Sequence, residues 1–231
     1  LVVLIVLSGG SAIYLGNYYH SVDVEKYMNG SSEVSVEKID KGWFFDGAGE
    51  EKALIFYPGA KVATEAYAPL MYQLAESGID CFLVDMPFHM AFFGMNRAEE
   101  IMQEYNYEAW YLGGHSLGGA MAANFAADYV EDHTDGIRGL LLLAAYPTKD
   151  LSTSDMSVVT VYGSEDGVLN MDKIVAGREL MPQDYKEVCI EGGNHAQFGS
   201  YGTQKGDGTA AIPAEEQWAR TVEGFVGDES E

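Results

Sequence analysis

The fold of this chain is decided around one glycine-rich segment, Leu112-Gly113-Gly114-His115-Ser116-Leu117-Gly118-Gly119. The segment contains the pattern Gly-x-Ser-x-Gly, and it lies between the apolar run 109–112 and the alanine-rich stretch 119–127. The first run is typical of a buried strand and the second of a helix. A strand, a sharp turn and a helix are the context in which this pattern exposes its serine, because the glycines leave room for a strained turn. The sequence therefore predicts that Ser116 lies at the tip of such an elbow.

Strand-like and helix-like segments alternate along most of the chain. Short apolar runs typical of buried strands cover residues 53–57, 79–85, 109–112, 139–144, 158–162 and 187–190. Helical patterns cover residues 64–77, 97–104, 117–130, 171–180 and 214–225. Alternation of this kind indicates an α/β fold, with a mostly parallel sheet covered by helices on both faces. An antiparallel hairpin that turns near Asp40 is expected to precede it.

Composition excludes several classes of partner. The chain has 36 Asp and Glu residues against 13 Lys and Arg, a net charge of −23, which argues against nucleic acid and anionic lipid as ligands.

Cys81 and Cys189 lie in strand-like runs and are expected to be buried free thiols. The segment 206–209 lacks the ligand spacing of a calcium loop, and no Gly-Lys-Ser/Thr follows the elbow, so neither a metal nor a cofactor is expected.

The first 33 residues differ from the rest of the chain. Residues 1–16 are mostly apolar, which suits a truncated membrane anchor, a signal-peptide remnant or a buried strand. Residues 17–33 are polar and are expected to form a linker or a short packed helix, followed by one domain over 34–231. Because 17–25 contains no Lys or Arg, a membrane-anchored or secreted protein with an extracytoplasmic domain is expected, contacting a membrane only through its N-terminal segment.

A serine becomes a nucleophile only when a base takes its proton and a third group orients that base. Among the five histidines, His195 directly follows the last predicted strand, so it should lie at the carboxyl edge of the sheet with the elbow. Asp166 follows the preceding strand in a glycine-flanked loop and is the predicted acid, with Glu165 as the alternative. The order Ser116, Asp166, His195 differs from the orders found in chymotrypsin and subtilisin.

Two further groups of residues complete the predicted site. The oxyanion hole is assigned to the N–H groups of Leu117 and of Ala60, with Lys61 N–H as second choice, because one donor follows the nucleophile and the other comes from the first βα loop. The loops 86–95 and 198–212 are candidate covers, although the first suits a buried structural loop equally well. The predicted substrate pocket consists of Lys61, which also suits a solvated surface position, and the aromatic residues Phe88, Phe92, Phe93 and Phe198.

These motifs resemble the α/β-hydrolase superfamily. More narrowly, the segments Tyr57–Lys61, Gly113–Gly119 and Gly192–Gly199 resemble those of small, often membrane-anchored bacterial serine hydrolases. The chain is also distantly similar to dienelactone hydrolases, but these carry a cysteine where Ser116 stands. Only residues 144–157 separate the two strands between which many members insert a cap domain, so no cap is expected. The resemblance also implies that the strands carrying the two cysteines lie far apart.

The expected function is hydrolysis of a small or medium carboxylic ester through an acyl-enzyme on Ser116. The resemblance implies a Ser-His-Asp hydrolase without defining its substrate, and peptidase and lipase activities stay open. The sequence leaves two alternatives open. One is an acyltransferase that uses the same triad, and the other is a non-catalytic binding module on this scaffold.

Overall fold

The computed structural model describes residues 16–133 and 136–227. Within these ranges eight strands form one sheet in the order β1-β2-β4-β3-β5-β6-β7-β8. The antiparallel pairs are β1 with β2 and β2 with β4, and the other neighbours are parallel. The strands are β1 Ser35–Ile39, β2 Gly42–Asp46, β3 Lys52–Tyr57, β4 Asp80–Val84, β5 Ala109–His115, β6 Ile137–Leu143, β7 Ser157–Gly163 and β8 Tyr185–Ile190.

Helices cover both faces of this sheet. They are α1 Glu25–Met28, α2 Ala68–Glu76, α3 Arg97–Glu104, α4 Leu117–Asp132, α5 Met171–Gly177 and α6 Ala214–Val226. On one face Leu70 of α2 and Trp218 of α6 join a buried apolar cluster, and on the other Ile101 of α3 and Phe125 of α4 join a second. Burial of apolar strand residues from both sides is what the continuous apolar runs predict. The predicted α/β-hydrolase fold is therefore confirmed, and the short connection between β6 and β7 carries no cap domain.

One predicted helix differs from the structure at its start. The single helix expected over 64–77 is a 3₁₀ turn, Thr64–Tyr67, followed by α2, because Pro69 lacks an N–H and fits the first turn of a helix. Asn96, a residue type that favours the position before a helix, precedes α3, but its side chain makes no capping hydrogen bond. The loop 86–95 contains two 3₁₀ turns, Pro87–His89 and Ala91–Phe93.

Residues 17–33 pack against the domain. Tyr19 N–H donates to the Lys61 carbonyl at 2.7 Å, and Ala63 N–H donates to the Tyr19 carbonyl at 2.8 Å. Val24 is buried, and the Tyr27 ring meets the Trp218 ring edge-on. Of the two forms expected for this segment, a linker or a short packed helix, the structure therefore shows a segment that packs on the domain and contains the short helix α1.

The predicted N-terminal anchor or signal segment lies outside the described residues, except for Gly16. None of the helices in the part of the chain that the structure describes has the length and apolar character needed to cross a bilayer.

The two cysteines differ in exposure. Both are free thiols, and four strands separate β4, which carries Cys81, from β8, which carries Cys189. Cys81 is buried as expected, but Cys189 is exposed, so the prediction that both are buried is wrong. The reason is that β8 is the edge strand of the sheet, and an edge position cannot be recognised from a strand-like run alone.

Candidate active site

The elbow begins where β5 ends at His115 and ends where α4 begins at Leu117. Ser116 has φ 54° and ψ −122°, a strained conformation for a residue with a side chain. Its N–H donates to the Leu143 carbonyl at 2.8 Å, which ties the turn to the end of β6. A Cβ at Gly118 would lie 2.1 Å from the Tyr57 carbonyl oxygen, so only glycine permits α4 to approach β3 this closely. The elbow therefore places Ser116 at the carboxyl edge of the sheet.

Asp166 and His195 form a buried pair beside the elbow. His195 Nδ1 lies 2.8 Å from Asp166 Oδ2, and the two side chains are 2% and 1% exposed. Asp166 Oδ1 accepts the N–H groups of Val168 and Leu169, each at 2.8 Å, so both oxygens of the carboxylate are held. Because a carboxylate only accepts hydrogen bonds, Nδ1 donates, and in the neutral imidazole Nε2 carries the free lone pair. The alternative acid, Glu165, is exposed, and its carboxylate lies beside the Ser164 hydroxyl instead.

The second imidazole nitrogen of His195 has no partner. His195 Nε2 is buried and makes no hydrogen bond with any residue that the structure describes. Ser116 and His195 line the same cavity, although the serine hydroxyl is not hydrogen-bonded to the imidazole. Contacts of this kind are often loose in the absence of substrate and tighten when it binds. A buried imidazole with a free lone pair can accept the proton of a hydroxyl that comes within hydrogen-bond distance.

The loop after β3 has one unused backbone donor. Gly59 N–H donates to the Tyr67 hydroxyl at 3.0 Å, and Lys61 N–H donates to the His89 carbonyl at 2.7 Å. Between them, Ala60 N–H makes no hydrogen bond with any described residue. Leu117 N–H lies in the first turn of α4 and has no partner within the helix. Of the two choices that the sequence offers in this loop, Ala60 is therefore the donor still available to an oxyanion.

A buried pair that the sequence analysis missed supports this loop. The Tyr67 hydroxyl lies 2.7 Å from His115 Nδ1 while it accepts the Gly59 N–H, and the His115 ring lies 4.4 Å from the His195 ring. Burial, reinforced by the neighbouring His195, holds the pKa of His115 well below 6.5. His115 is visible in the elbow motif, but no local pattern identifies Tyr67 as its partner, since the contact joins the 3₁₀ turn after β3 to the end of β5.

The cavity beside Ser116 has a volume of about 360 Å³. Besides Ser116 and His195, its wall comes from the start of α4 and from the segments that follow β6 and β7: Leu117, Ala120, Met121, Ala144, Ala145, Tyr146, Thr148, Val168, Leu169 and Asn170. Most of these side chains are apolar, and none is an acid or a base. Such a wall suits the uncharged part of a small molecule.

None of the five residues predicted to form the substrate pocket lies on this wall. Phe198 is fully buried and packs against the His115 ring, with the centroids 5.6 Å apart. Phe88, Phe92 and Phe93 are all more than half exposed. They follow β4, which is separated from β5 by β3, whereas the cavity opens on the β6 and β7 side. Lys61 lies in the loop after β3, next to Ala60.

Comparison with known proteins agrees with this architecture. Residues 53–219 match the model of the alpha/beta hydrolase family, which covers most of the chain. A comparison with curated protein sequences found no match.

Several solved structures share the fold at low sequence identity. Est1E from Butyrivibrio proteoclasticus is 16% identical with a TM-score of 0.58, and the alignment covers 84% of this chain and 98% of that one. Carboxyl esterase 2 from the mycorrhizal fungus Tuber melanosporum is 13% identical with a TM-score of 0.61, and the alignment covers 90% of this chain and 91% of that one. A thermostable esterase from Pseudomonas putida ECU1011 is 15% identical with a TM-score of 0.56, and the alignment covers 87% of this chain and 83% of that one. The family match and the shared sheet lead to one conclusion: this chain belongs to the α/β hydrolase family.

Proposed function

We propose that this protein is a serine hydrolase that cleaves a small or medium carboxylic ester through an acyl-enzyme on Ser116. The observation that carries the proposal is the state of His195. Its Nδ1 donates to a doubly anchored Asp166 carboxylate, while its Nε2 is buried without a partner beside the cavity that Ser116 lines. A base that is oriented on one side and unoccupied on the other is what activation of a serine requires.

The proposed reaction has two halves. Ser116 Oγ attacks the ester carbonyl carbon while its proton passes to His195 Nε2, and the N–H groups of Ala60 and Leu117 bind the developing oxyanion. The tetrahedral intermediate collapses, the C–O bond to the alcohol breaks, and the alcohol leaves with the proton from His195. Water then attacks the acyl-enzyme by the same route, giving its proton to His195, and Ser116 takes that proton back as the acid leaves. Asp166 keeps the His195 tautomer correct throughout.

The proposal also covers the substrate class. The mostly uncharged wall of the cavity supports a neutral acyl or alcohol group, and the volume of about 360 Å³ supports a small or medium one. The two solved structures that are named as esterases, from Tuber melanosporum and Pseudomonas putida, support an ester as the bond cleaved. A free carboxylate or a phosphate would meet no cationic side chain among the residues that line the cavity.

The test combines a covalent probe with a substrate panel. A fluorophosphonate, which phosphonylates activated serines with loss of fluoride, is expected to label the wild-type protein and to spare Ser116→Ala. A panel of esters with graded acyl length is assayed in parallel, and the released acid is quantified so that hydrolysis is distinguished from acyl transfer. Ser152→Ala removes an exposed turn serine and is the matched control, which should be labelled like the wild type. Equal labelling of wild type and Ser116→Ala would overturn the proposal.

A further inference from the structure

The proposed reaction does not account for one motif of the chain, the segment 206–209 with the sequence Gly-Asp-Gly-Thr. It lies in the long loop between the 3₁₀ turn Ala196–Phe198 and α6. Its aspartate, Asp207, points at the backbone of the two loops that carry the acid and the base. Asp207 Oδ1 lies 3.1 Å from Gly167 N and 3.2 Å from His195 N, and Oδ2 lies 2.8 Å from Ala196 N. One carboxylate thus accepts N–H groups from the residue after Asp166 and from His195 itself.

The surrounding chain is shaped for this approach. A Cβ at Gly208 would lie 1.9 Å from the Glu165 carbonyl oxygen, so the motif can touch the acid loop only because this residue is glycine. On the other side, Asn194 Nδ2 donates to the Gly208 carbonyl at 2.9 Å. The motif is therefore wedged between the acid loop and the base loop and contacts both.

A second link joins the same loops. Glu165 N–H donates to the Gly193 carbonyl at 2.8 Å, and Gly192 N–H donates to the Ser164 hydroxyl at 2.8 Å. These bonds involve residues that precede Asp166 and His195 in the chain. Asp207 instead binds the N–H groups of His195 and of the residues that follow Asp166 and His195, Gly167 and Ala196.

The contacts of Asp207 are those of an anion in a backbone nest rather than those of a metal ligand. Both oxygens face N–H donors, since Oδ1 also accepts Gly208 N–H at 2.8 Å in addition to the three bonds described above. N–H groups that converge on one carboxylate form a concave site for negative charge. Asp207 therefore serves the protein's own backbone.

We propose that Asp207 is a positioning residue that sets the distance and orientation between Asp166 and His195. By holding His195 N–H and Gly167 N–H on one oxygen, it keeps the 2.8 Å contact between the imidazole and the acid, and it keeps Nε2 directed at the cavity. This inference rests on the proposed function. Asp207 is not among the residues that line the Ser116 cavity, so it should affect the reaction step more than substrate binding.

The test is Asp207→Asn, which keeps the shape of the side chain but replaces one acceptor oxygen with an NH₂ group that cannot accept. In either orientation of the amide, this NH₂ group faces a backbone N–H of the loop that carries His195, that of Ala196 or that of His195 itself, so a hydrogen bond is replaced by repulsion. We expect kcat to fall about 10- to 100-fold, as for other small displacements of catalytic groups, while KM changes by less than about threefold. The downfield proton resonance of His195 Nδ1–H should shift or broaden. Asp150→Asn is the matched control, because Asp150 Oδ1 also accepts a backbone N–H, that of Ser152 at 2.9 Å, in a turn away from the site. Its kcat and resonance should equal those of the wild type.

Each outcome decides the question. A folded Asp207→Asn with wild-type kcat and resonance overturns the proposal, even if its unfolding temperature falls, because that pattern indicates a purely structural role. If Asp207→Asn does not fold, Asp207→Glu is measured, and the same loss is expected, since a carboxylate displaced by one methylene cannot meet both loops. If the wild type neither hydrolyses esters nor reacts with fluorophosphonate, the proposed function fails separately, and the resonance alone decides the role of Asp207.

Discussion

At the scale of single residues, Asp166 uses its two carboxylate oxygens for different purposes. Oδ1 accepts two backbone N–H groups of its own loop, and Oδ2 faces His195 Nδ1. The first set of bonds fixes where the carboxylate lies, and the second fixes which nitrogen of His195 carries the proton. The position of the Asp166 carboxylate therefore depends on Oδ1, and the tautomer of His195 depends on Oδ2. A substitution that changes only one of these oxygens can separate the two effects.

Asp166→Asn is expected to preserve the loop and to lose catalysis. The amide oxygen can still accept the N–H groups of Val168 and Leu169, but the amide NH₂ would face His195 Nδ1 and favour the wrong tautomer. If the proposed function holds, we expect kcat on a reactive ester to fall by about 10⁴, as for the equivalent change in serine proteases, with little change in the unfolding temperature. Glu165→Gln is the matched control and should keep activity. The reverse pattern would show that Glu165 is the acid.

The buried His115 gives the stability of the protein a defined pH dependence. Its pKa is well below 6.5 in the folded protein, whereas an unfolded chain returns it to about 6.5. As the pH falls below this value, the unfolded state binds a proton that the folded state does not, so the free energy of unfolding decreases by up to about 1.4 kcal/mol per pH unit. Stability is therefore expected to fall between about pH 7 and pH 5.

Comparison of wild type with His115→Gln isolates this contribution. The variant should show a shallower loss of stability over the same pH range in urea unfolding. His89, whose pKa burial also lowers, contributes with the same sign in both proteins and cancels in the difference. Parallel curves for the two proteins would contradict the assignment to His115.

At the scale of elements, the cavity wall is formed by the start of α4 and by the segments after β6 and β7. The loop after β4, with its exposed phenylalanines, lies beyond β3 on the other side of the elbow. The cavity and the exposed phenylalanines therefore lie on opposite sides of the elbow, and each could be the surface that selects the substrate.

Ala120→Leu is expected to shorten the range of esters that the enzyme accepts. Ala120 lines the cavity on α4, a position where leucine is a good helix former, so the three added carbons should take up part of the cavity without breaking the helix. The ratio of kcat/KM for a hexanoate ester to that for an acetate ester should fall about tenfold or more, since each lost methylene contact is worth about 1 kcal/mol or more. Phe92→Ala should leave the ratio unchanged. A change in the Phe92→Ala ratio alone would place substrate selection at the loop after β4.

At the scale of the whole molecule, the net charge of −23 creates self-repulsion that opposes the folded state. Raising the ionic strength from about 0.01 to about 0.15 M shortens the screening length from about 30 to about 8 Å, so repulsion between surface carboxylates weakens. The unfolding temperature is therefore expected to rise with added NaCl, measured by circular dichroism. A variant that combines Glu131→Gln, Glu179→Gln and Glu223→Gln should have a higher unfolding temperature at low salt, and that temperature should rise less when NaCl is added. A temperature that falls with salt would mean that ion pairs outweigh the repulsion.

The sequence was sufficient for those features that depend on local patterns. The glycine pattern of the elbow, the apolar runs of β3 to β7 and the order of Ser116, Asp166 and His195 each follow from short stretches of chain, because backbone strain and hydrophobic periodicity act locally. These features predict the family, the absence of a cap between β6 and β7, and the edge of the sheet at which the candidate site lies.

What only the tertiary structure decided concerns contacts between distant segments. The order of the strands determines that Val168 and Ala145 line the cavity, whereas Phe88 and Phe198 do not. The pairing of Tyr67 with His115 is likewise set by packing, and so are the four backbone N–H groups around Asp207. A local pattern can indicate that a residue is apolar, acidic or flexible, but its partner depends on how the whole sheet brings remote loops to one edge.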